Sequence, residues 1–144
     1  MKRQPAKVFV ALYFLVLLLH TSASAQVMRP TQFHIPFNFI IQGESLPAGK
    51  YTIERLDKTK PEILIMKNSD GRTRRIFLTQ RVDARDYKEV ALLVFNRFGD
   101  DHILSQVWGA GERSGRELPG SSSKNNRSGK PIAVLVKGAL VKSR

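Results

Sequence analysis

A histidine beside carboxylates is the first combination in this chain that could support catalysis. His102 follows Asp100 and Asp101, and a second histidine, His34, lies in a strongly alternating segment. A histidine base that activates a hydroxyl is typical of hydrolases, and the Asp100-Asp101-His102 group could offer oxygen and nitrogen ligands to a metal ion. No Gly-x-Ser-x-Gly segment accompanies these residues. A solvated turn is the favoured interpretation, and a hydrolase-like or metal-dependent enzyme using His102 with Asp100 or Asp101 is the alternative.

Clusters of basic side chains indicate a different kind of site, one that binds anions. Arg72, Arg74 and Arg75 surround a predicted hairpin turn, and a later Gly/Ser/Asn-rich segment carries five more cations, Arg113, Arg116, Lys124, Arg127 and Lys130. Guanidinium groups make paired contacts with phosphate or carboxylate oxygens. Trp108 and Tyr87 are the only aromatic side chains expected at the surface for base stacking, so sequence-specific nucleic-acid binding is not expected.

Most of the excess positive charge lies in the last quarter of the chain. The whole chain has a formal charge of +12. Residues 26–112 carry 13 Lys and Arg against 11 Asp and Glu, whereas residues 113–144 carry 8 Lys and Arg against one acid, Glu117. Concentrated positive charge attracts anionic lipids or glycans. A solvated tail that aids solubility is the alternative interpretation.

The first 25 residues predict a cleavable export signal. Three cations precede an unbroken apolar run over residues 8–19, and Ala23-Ser24-Ala25 supplies the small-residue pattern for cleavage between Ala25 and Gln26. A retained membrane anchor is the alternative, but a spanning helix needs about 20 apolar residues. We therefore expect a periplasmic or extracellular protein. Because the chain has no cysteine, its fold must be stabilised without disulfides.

The clearest strand signal follows the leader. Phe33, Ile35, Phe37, Phe39 and Ile41 alternate with mostly polar residues, which predicts one half-buried strand with an apolar inner face. Pro36 interrupts this pattern, and a proline cannot donate a hydrogen bond to a neighbouring strand. The strand is therefore expected at a sheet edge or with a bulge, and an open edge near Pro36 could bind a protein partner.

Strand and turn signals continue through most of the remaining chain. Apolar runs predict strands over 50–56, 62–67, 74–80, 90–98, 103–108 and 132–136. The charged segment 83–88 and the glycine-rich and serine-rich segment 109–130 predict loops. About seven strands predict an all-β fold, either a single antiparallel β-sandwich or a small barrel. The expected divisions are a signal peptide (1–25), a β body (26–112), a basic loop (113–131), and a terminal strand with a basic tail (132–144).

Two blocks of the sequence resemble a family of small exported bacterial β-rich proteins of unknown function. The first, Pro36-Phe37-Asn38-Phe39 with Leu46-Pro47-Ala48-Gly49-Lys50-Tyr51, is similar to the family pattern F-x-x-P-F-x-F, a short loop and L-P-A-G-x-Y. The second comprises residues 93–100 and 104–108. The resemblance covers residues 33–108 and weakens after Leu118-Pro119, where this chain has a Ser/Asn/Lys run in place of an acidic, helix-compatible stretch. It implies export and β structure and assigns no catalytic residue.

Together, these patterns predict an exported, non-enzymatic β protein of the cell envelope. Its basic residues would bind anionic glycans or lipid headgroups, unless the partner is a protein that uses the strand edge near Pro36. We expect no cofactor, no metal ion, and no transmembrane segment after cleavage.

Overall fold

The computed structural model describes residues 28–121 and 129–141, and every regular element in these ranges is a β-strand. The predicted all-β class is confirmed, with eleven strands in place of about seven. No helix in the described ranges is long and apolar enough to cross a membrane. The predicted signal peptide and the cleavage site between Ala25 and Gln26 lie outside the described residues.

The strands are β1 (Thr31–Ile35), β2 (Phe39–Ile41), β3 (Glu44–Leu46), β4 (Gly49–Arg55), β5 (Ile63–Asn68), β6 (Arg74–Leu78), β7 (Gln80–Lys88), β8 (Leu92–Phe98), β9 (Asp101–Trp108), β10 (Glu112–Glu117) and β11 (Ile132–Leu140).

Nine of these strands follow one another in a continuous sheet, in the order β3-β2-β9-β8-β11-β1-β4-β5-β6. Neighbours are antiparallel except for β2 and β9, which are parallel. Strand β11 joins the two halves of the sheet, because it pairs with β8 through residues 132–137 and with β1 through residues 138–140. Strands β7 and β10 form a separate antiparallel ribbon, attached where β10 pairs with the end of β9.

The alternating aromatic and aliphatic side chains near the start of the described chain form the core, as their spacing predicts. Phe33, Ile35, Phe39 and Ile41 are all buried, whereas Phe37, the fifth residue of the alternation, lies between two strands and is only partly buried against this core. The buried residues belong to two strands rather than one, because the chain leaves the sheet at Pro36, which has no backbone N–H to pair. Strand β1 is paired on both sides, with β11 and β4. The expectation of an edge strand is therefore wrong for most of β1, although its last two residues, His34 and Ile35, pair with β4 alone, and use of this end by a protein partner stays a prediction.

The sheet curls into a half-barrel around this core. Strands β2 and β4 are five places apart in the sheet order, which would separate them by about 24 Å in a flat sheet. Yet the ring centroids of Phe39 in β2 and Tyr51 in β4 are 5.2 Å apart, with the rings nearly perpendicular. The two halves of the sheet therefore share one interior.

The curl also brings the end strands β3 and β6 together along a seam. Glu44 of β3 forms an ion pair with Arg75 of β6. The side-chain amide of Gln42, in the turn before β3, donates a hydrogen bond to the carbonyl oxygen of Leu78 at 3.3 Å. Side chains, rather than a ladder of backbone hydrogen bonds, connect the two ends.

Two segments that were predicted to be loops are strands in the β7–β10 ribbon. Strand β7 includes the charged residues 83–88, and β10 occupies residues 112–117, so the predicted division after residue 112 falls inside a strand. The ribbon also covers Trp108, which is 4% exposed because Gly115 of β10 lets the backbone pass directly over the indole ring. Trp108 was expected at the surface, and that prediction is wrong. Tyr87 is exposed as expected.

Candidate anion-binding surface

The arginines at the β5–β6 hairpin do not act as one group. Arg72 lies in the turn, where its backbone N–H donates to the Asp70 carboxylate at 2.9 Å. Arg74 faces outward from β6 and is exposed. Arg75 points to the other side of the strand and is engaged by Glu44 across the seam. Two of the three predicted side chains, Arg72 and Arg74, are therefore available at the outer surface.

The arginines of β10 contact other residues of the ribbon, although Arg113 is exposed. The guanidinium of Arg113 donates to the Arg85 carbonyl oxygen at 3.0 Å and lies over the Tyr87 ring, 5.3 Å from its centroid. Arg116 is half-buried directly opposite Arg81. Burial, together with the positive charges of Arg55 and Arg81, lowers the pKa of Arg116 below its ordinary value. Burial is the largest of these effects on the Arg116 pKa, and the carboxylates of Glu62 and Glu112 act in the opposite direction.

The predicted cations do not form a single surface. Five successive antiparallel pairings relate β5 to β9, so these strands run in opposite directions. The turn after β5, which carries Arg72, therefore lies at the opposite end of the sheet from the turn after β9, which is next to Arg113. Lys130, which is exposed, precedes β11 at the same end as Arg72. The remaining two predicted cations, Lys124 and Arg127, lie outside the described residues.

The structure places a different basic groove on the outer face of β1, β4 and β11. It has a volume of about 280 Å³ and is lined by Gln32, His34, Lys50, Lys137, Gly138 and Ala139. Strand pairing builds this groove, since alternate residues of each strand face outward and His34 lies directly opposite Lys50. The backbone carbonyl of Lys50 accepts hydrogen bonds from the N–H and hydroxyl of Ser69 at 3.0 and 3.1 Å, which fixes the start of β4.

The lining of this groove contains donors and cations but no carboxylate. Among the described residues, His34, Lys50 and Lys137 form no ion pair within 4.0 Å. The amide of Gln32 adds hydrogen-bonding capacity beside them. A strongly hydrated ammonium group is a general binder of phosphate, sulfate or carboxylate oxygens. The groove is therefore the described surface best suited to an anion.

The sequence contained only part of the signal for this groove. His34 was predicted on the polar face of the first strand, but Lys50 and Lys137 were not singled out. Residue 137 is far from residue 34 along the chain, and they become neighbours because β11 inserts between β8 and β1. In the sequence alone, where this topology is not visible, exposed lysines on separate strands cannot be told from ordinary solvated side chains.

His102, the central residue of the alternative catalytic site, packs against an aromatic ring. The His102 ring stacks on Phe37 at 4.0 Å between centroids and 17° between planes, and Phe37 in turn contacts the Phe95 ring edge-on at 5.1 Å. The His102 Nδ1 atom is buried without a hydrogen-bond partner among the described residues. These residues contain no group of three or more His, Cys, Asp or Glu side chains placed to hold a metal ion. This geometry adds no support to the hydrolase-like alternative.

A second opening lies where β9 leaves β2 and begins to pair with β10. This cleft has a volume of about 340 Å³, and Ile40, Ile103, Leu118 and Pro119 contribute apolar walls. At its inner end the hydroxyl of Ser121 donates to the Leu118 carbonyl oxygen at 2.8 Å. The described lining of the cleft has no charged side chain, and it includes Gln42, whose side-chain amide donates to the Leu78 carbonyl oxygen.

Comparison with known proteins adds no relative from which a role could be inferred. No family model matches the chain, no curated protein matches it, and no solved structure matches it.

Proposed function

We propose that the protein is an exported, non-enzymatic binding module that acts in the periplasm or outside the cell on anionic envelope material, either lipid headgroups or glycans. The observation that carries the proposal is the groove lined by Gln32, His34, Lys50 and Lys137, whose described lining has no acidic side chain. Arg72, in the β5–β6 turn, and Arg74, on β6, add exposed positive charge on the same half of the sheet.

The groove is a pre-organised site because its cations stand on paired strands rather than on loops. His34 and Lys50 are held by the β1–β4 ladder, and Lys137 by the β11–β8 ladder. A site on rigid elements loses less conformational entropy when it binds than a site on a flexible tail. Binding should be weakened by salt, because exposed charges are screened over about 10 Å at an ionic strength of about 0.1 M.

We also propose the small barrel, rather than the sandwich, as the description of the fold. Two observations support it, namely the shared interior of β2 and β4 and the side-chain contacts across the seam between β3 and β6. In a barrel the outer face is convex and continuous, so the groove belongs to one uninterrupted surface.

The test compares two pairs of substitutions with the same change in charge. Lys50→Gln with Lys137→Gln removes two groove cations, whereas Lys58→Gln with Lys60→Gln removes two exposed cations from the β4–β5 turn. The probe is dextran sulfate, a soluble anionic glycan, titrated at low and high salt. At about 1 kcal/mol for each cation near an anionic surface, the groove pair should lose about 30-fold in affinity.

The control pair should change the affinity by much less, about twofold, because Lys58 and Lys60 contribute only to the overall charge. Equal losses in the two double variants would show that net charge alone attracts the probe. The absence of binding to dextran sulfate and to the envelope fraction of the host at low salt would refute the proposed function.

A further inference from the structure

The outer face of β4, β5 and β6 carries an apolar surface at the end of the sheet. We call it the β4–β6 patch, and it consists of Leu56, Ile63, Ile76 and Leu78 around Ile65, which shares their face of the sheet but is itself only 2% exposed. Register defines it, because Ile63 lies opposite Leu78 and Ile65 opposite Ile76, while the Leu56 N–H donates to the Ile63 carbonyl oxygen at 3.1 Å. Leu56, Ile76 and Leu78 are 45%, 58% and 57% exposed. Large aliphatic side chains are therefore clustered in contact with water.

Basic side chains border this patch on the same face. Lys67 of β5 lies opposite Arg74 of β6, and this pair is next to the Ile65–Ile76 pair on the same face. Lys50 is farther away on β4, near the start of that strand. Among the outward-facing residues of the described strands β4–β6, Glu54 is the one acid, and it forms an ion pair with Lys67. At the other end of the patch, the β4–β5 turn adds two exposed acids, Asp57 and Glu62, and two exposed lysines, Lys58 and Lys60, so the border as a whole stays net positive.

We infer that the β4–β6 patch inserts into the surface of an anionic lipid bilayer, with Arg74 and Lys50 at the level of the headgroups. This inference builds on the proposed function and names its partner as lipid rather than glycan. Apolar side chains flanked by Lys and Arg are the combination that binds bilayer interfaces, where apolar burial and attraction to anionic lipids act together. A soluble glycan would use the cations and leave Ile76 and Leu78 in water.

A second copy of the chain is a poorer fit to this surface. The open edge of β6 is occupied in part, since Gln42 donates to the Leu78 carbonyl oxygen and Glu44 engages Arg75. A copy that adds a strand to this edge would have to displace both contacts. A copy packed face to face would bring two positive borders together, and like charges repel.

The test uses vesicles of phosphatidylcholine with and without phosphatidylglycerol, and dextran sulfate as a soluble polyanion. Ile76→Thr with Leu78→Thr removes apolar area from the patch while keeping residues that favour strands. The matched control is Ile132→Thr with Leu135→Thr on β11, where the side chains are similarly exposed, at 56% and 60%. Circular dichroism and urea unfolding establish that every variant is folded.

We expect the patch variant to bind anionic vesicles at least tenfold more weakly than the unsubstituted protein, with unchanged binding to dextran sulfate. The β11 control should bind both probes normally. If dextran sulfate binds but vesicles do not, or if the patch variant binds vesicles normally, the bilayer inference is wrong while the proposed function stands. If neither probe binds, the proposed function itself fails.

Two further results would also overturn the inference. Equal binding to neutral and anionic vesicles would show that the basic border has no role. A dimer in sedimentation equilibrium that Ile76→Thr with Leu78→Thr dissociates would show that a second copy covers the patch.

Discussion

Gly138 is the position where a single added methyl group should be most informative about the sheet. It lies in β11 opposite Phe33 of β1, with its missing side chain directed at the Phe33 ring. An ideal Cβ at this position would lie 2.7 Å from Cδ1 and 2.8 Å from Cζ of that ring. Carbon atoms pack at about 3.5 to 4.0 Å, so Gly138→Ala requires the ring or the strand to move.

Neither group can move freely. Phe33 is completely buried, and β11 is fixed by hydrogen bonding to β8 and β1. Overpacking a well-filled core costs about 1–3 kcal/mol. Replacing glycine by alanine reduces the entropy of the unfolded chain and returns about 0.4–1 kcal/mol. The expected net loss in the free energy of unfolding is therefore about 1 kcal/mol, and about 2.6 kcal/mol at most.

Urea unfolding monitored by circular dichroism measures this loss, and Gly49→Ala is the matched control. Gly49 lies in β4, and its ideal Cβ would be 3.6 Å from the Tyr51 ring, an ordinary contact distance. We expect Gly49→Ala to be neutral or slightly stabilising. Phe33→Leu should relieve the defect of Gly138→Ala, which a double-mutant cycle would detect as a coupling between the two sites. If Gly138→Ala is as stable as the unsubstituted protein, the packing of β11 against Phe33 is not as described.

Two other variants test the core and the ribbon. Burial and the charge of Asp70 raise the pKa of the Tyr51 hydroxyl above its ordinary value of 10.0. The folded state therefore holds this proton more tightly than the unfolded state does. The resulting contribution to the free energy of unfolding is complete below about pH 10 and is lost as the pH rises through the raised pKa. Tyr51→Phe should flatten this alkaline decline in urea unfolding, and parallel declines in the two proteins would contradict the assignment. Gly115→Ala would place a Cβ 2.6 Å from the ring of Trp108, the single tryptophan. We expect the free energy of unfolding to fall by about 1–3 kcal/mol and the tryptophan fluorescence to shift to the red as the indole becomes exposed to solvent. An unchanged spectrum together with unchanged stability would contradict this expectation.

The sequence indicated the buried faces more reliably than the arrangement of the strands. Period-two spacing identified Phe33, Ile35, Phe39 and Ile41 as core residues, because alternation depends on local geometry. It did not reveal that the chain leaves one half of the sheet at Pro36 and enters the other, since that change depends on partners distant in sequence.

Strands β7 and β10 escaped prediction for a different reason. Most residues of β7 are exposed, and β10 buries one glycine, so neither segment has an apolar alternation to recognise. Their pairing depends on each other and on the end of β9. The same limit applies to the groove, whose lining comes from residues 32 and 34, residue 50 and residues 137–139.

The position of β11 sets an order for folding. Ten strands precede it along the chain, yet it lies in the middle of the sheet and connects β8 to β1. Until residues 132–140 have joined the sheet, its two halves have no common strand through which to align. Pairings this distant in sequence are slow to form, because the chain loses the entropy of closing a long loop before any contact offsets that loss. The final core should therefore form in one late step of folding, when the C-terminal strand enters the middle of the sheet.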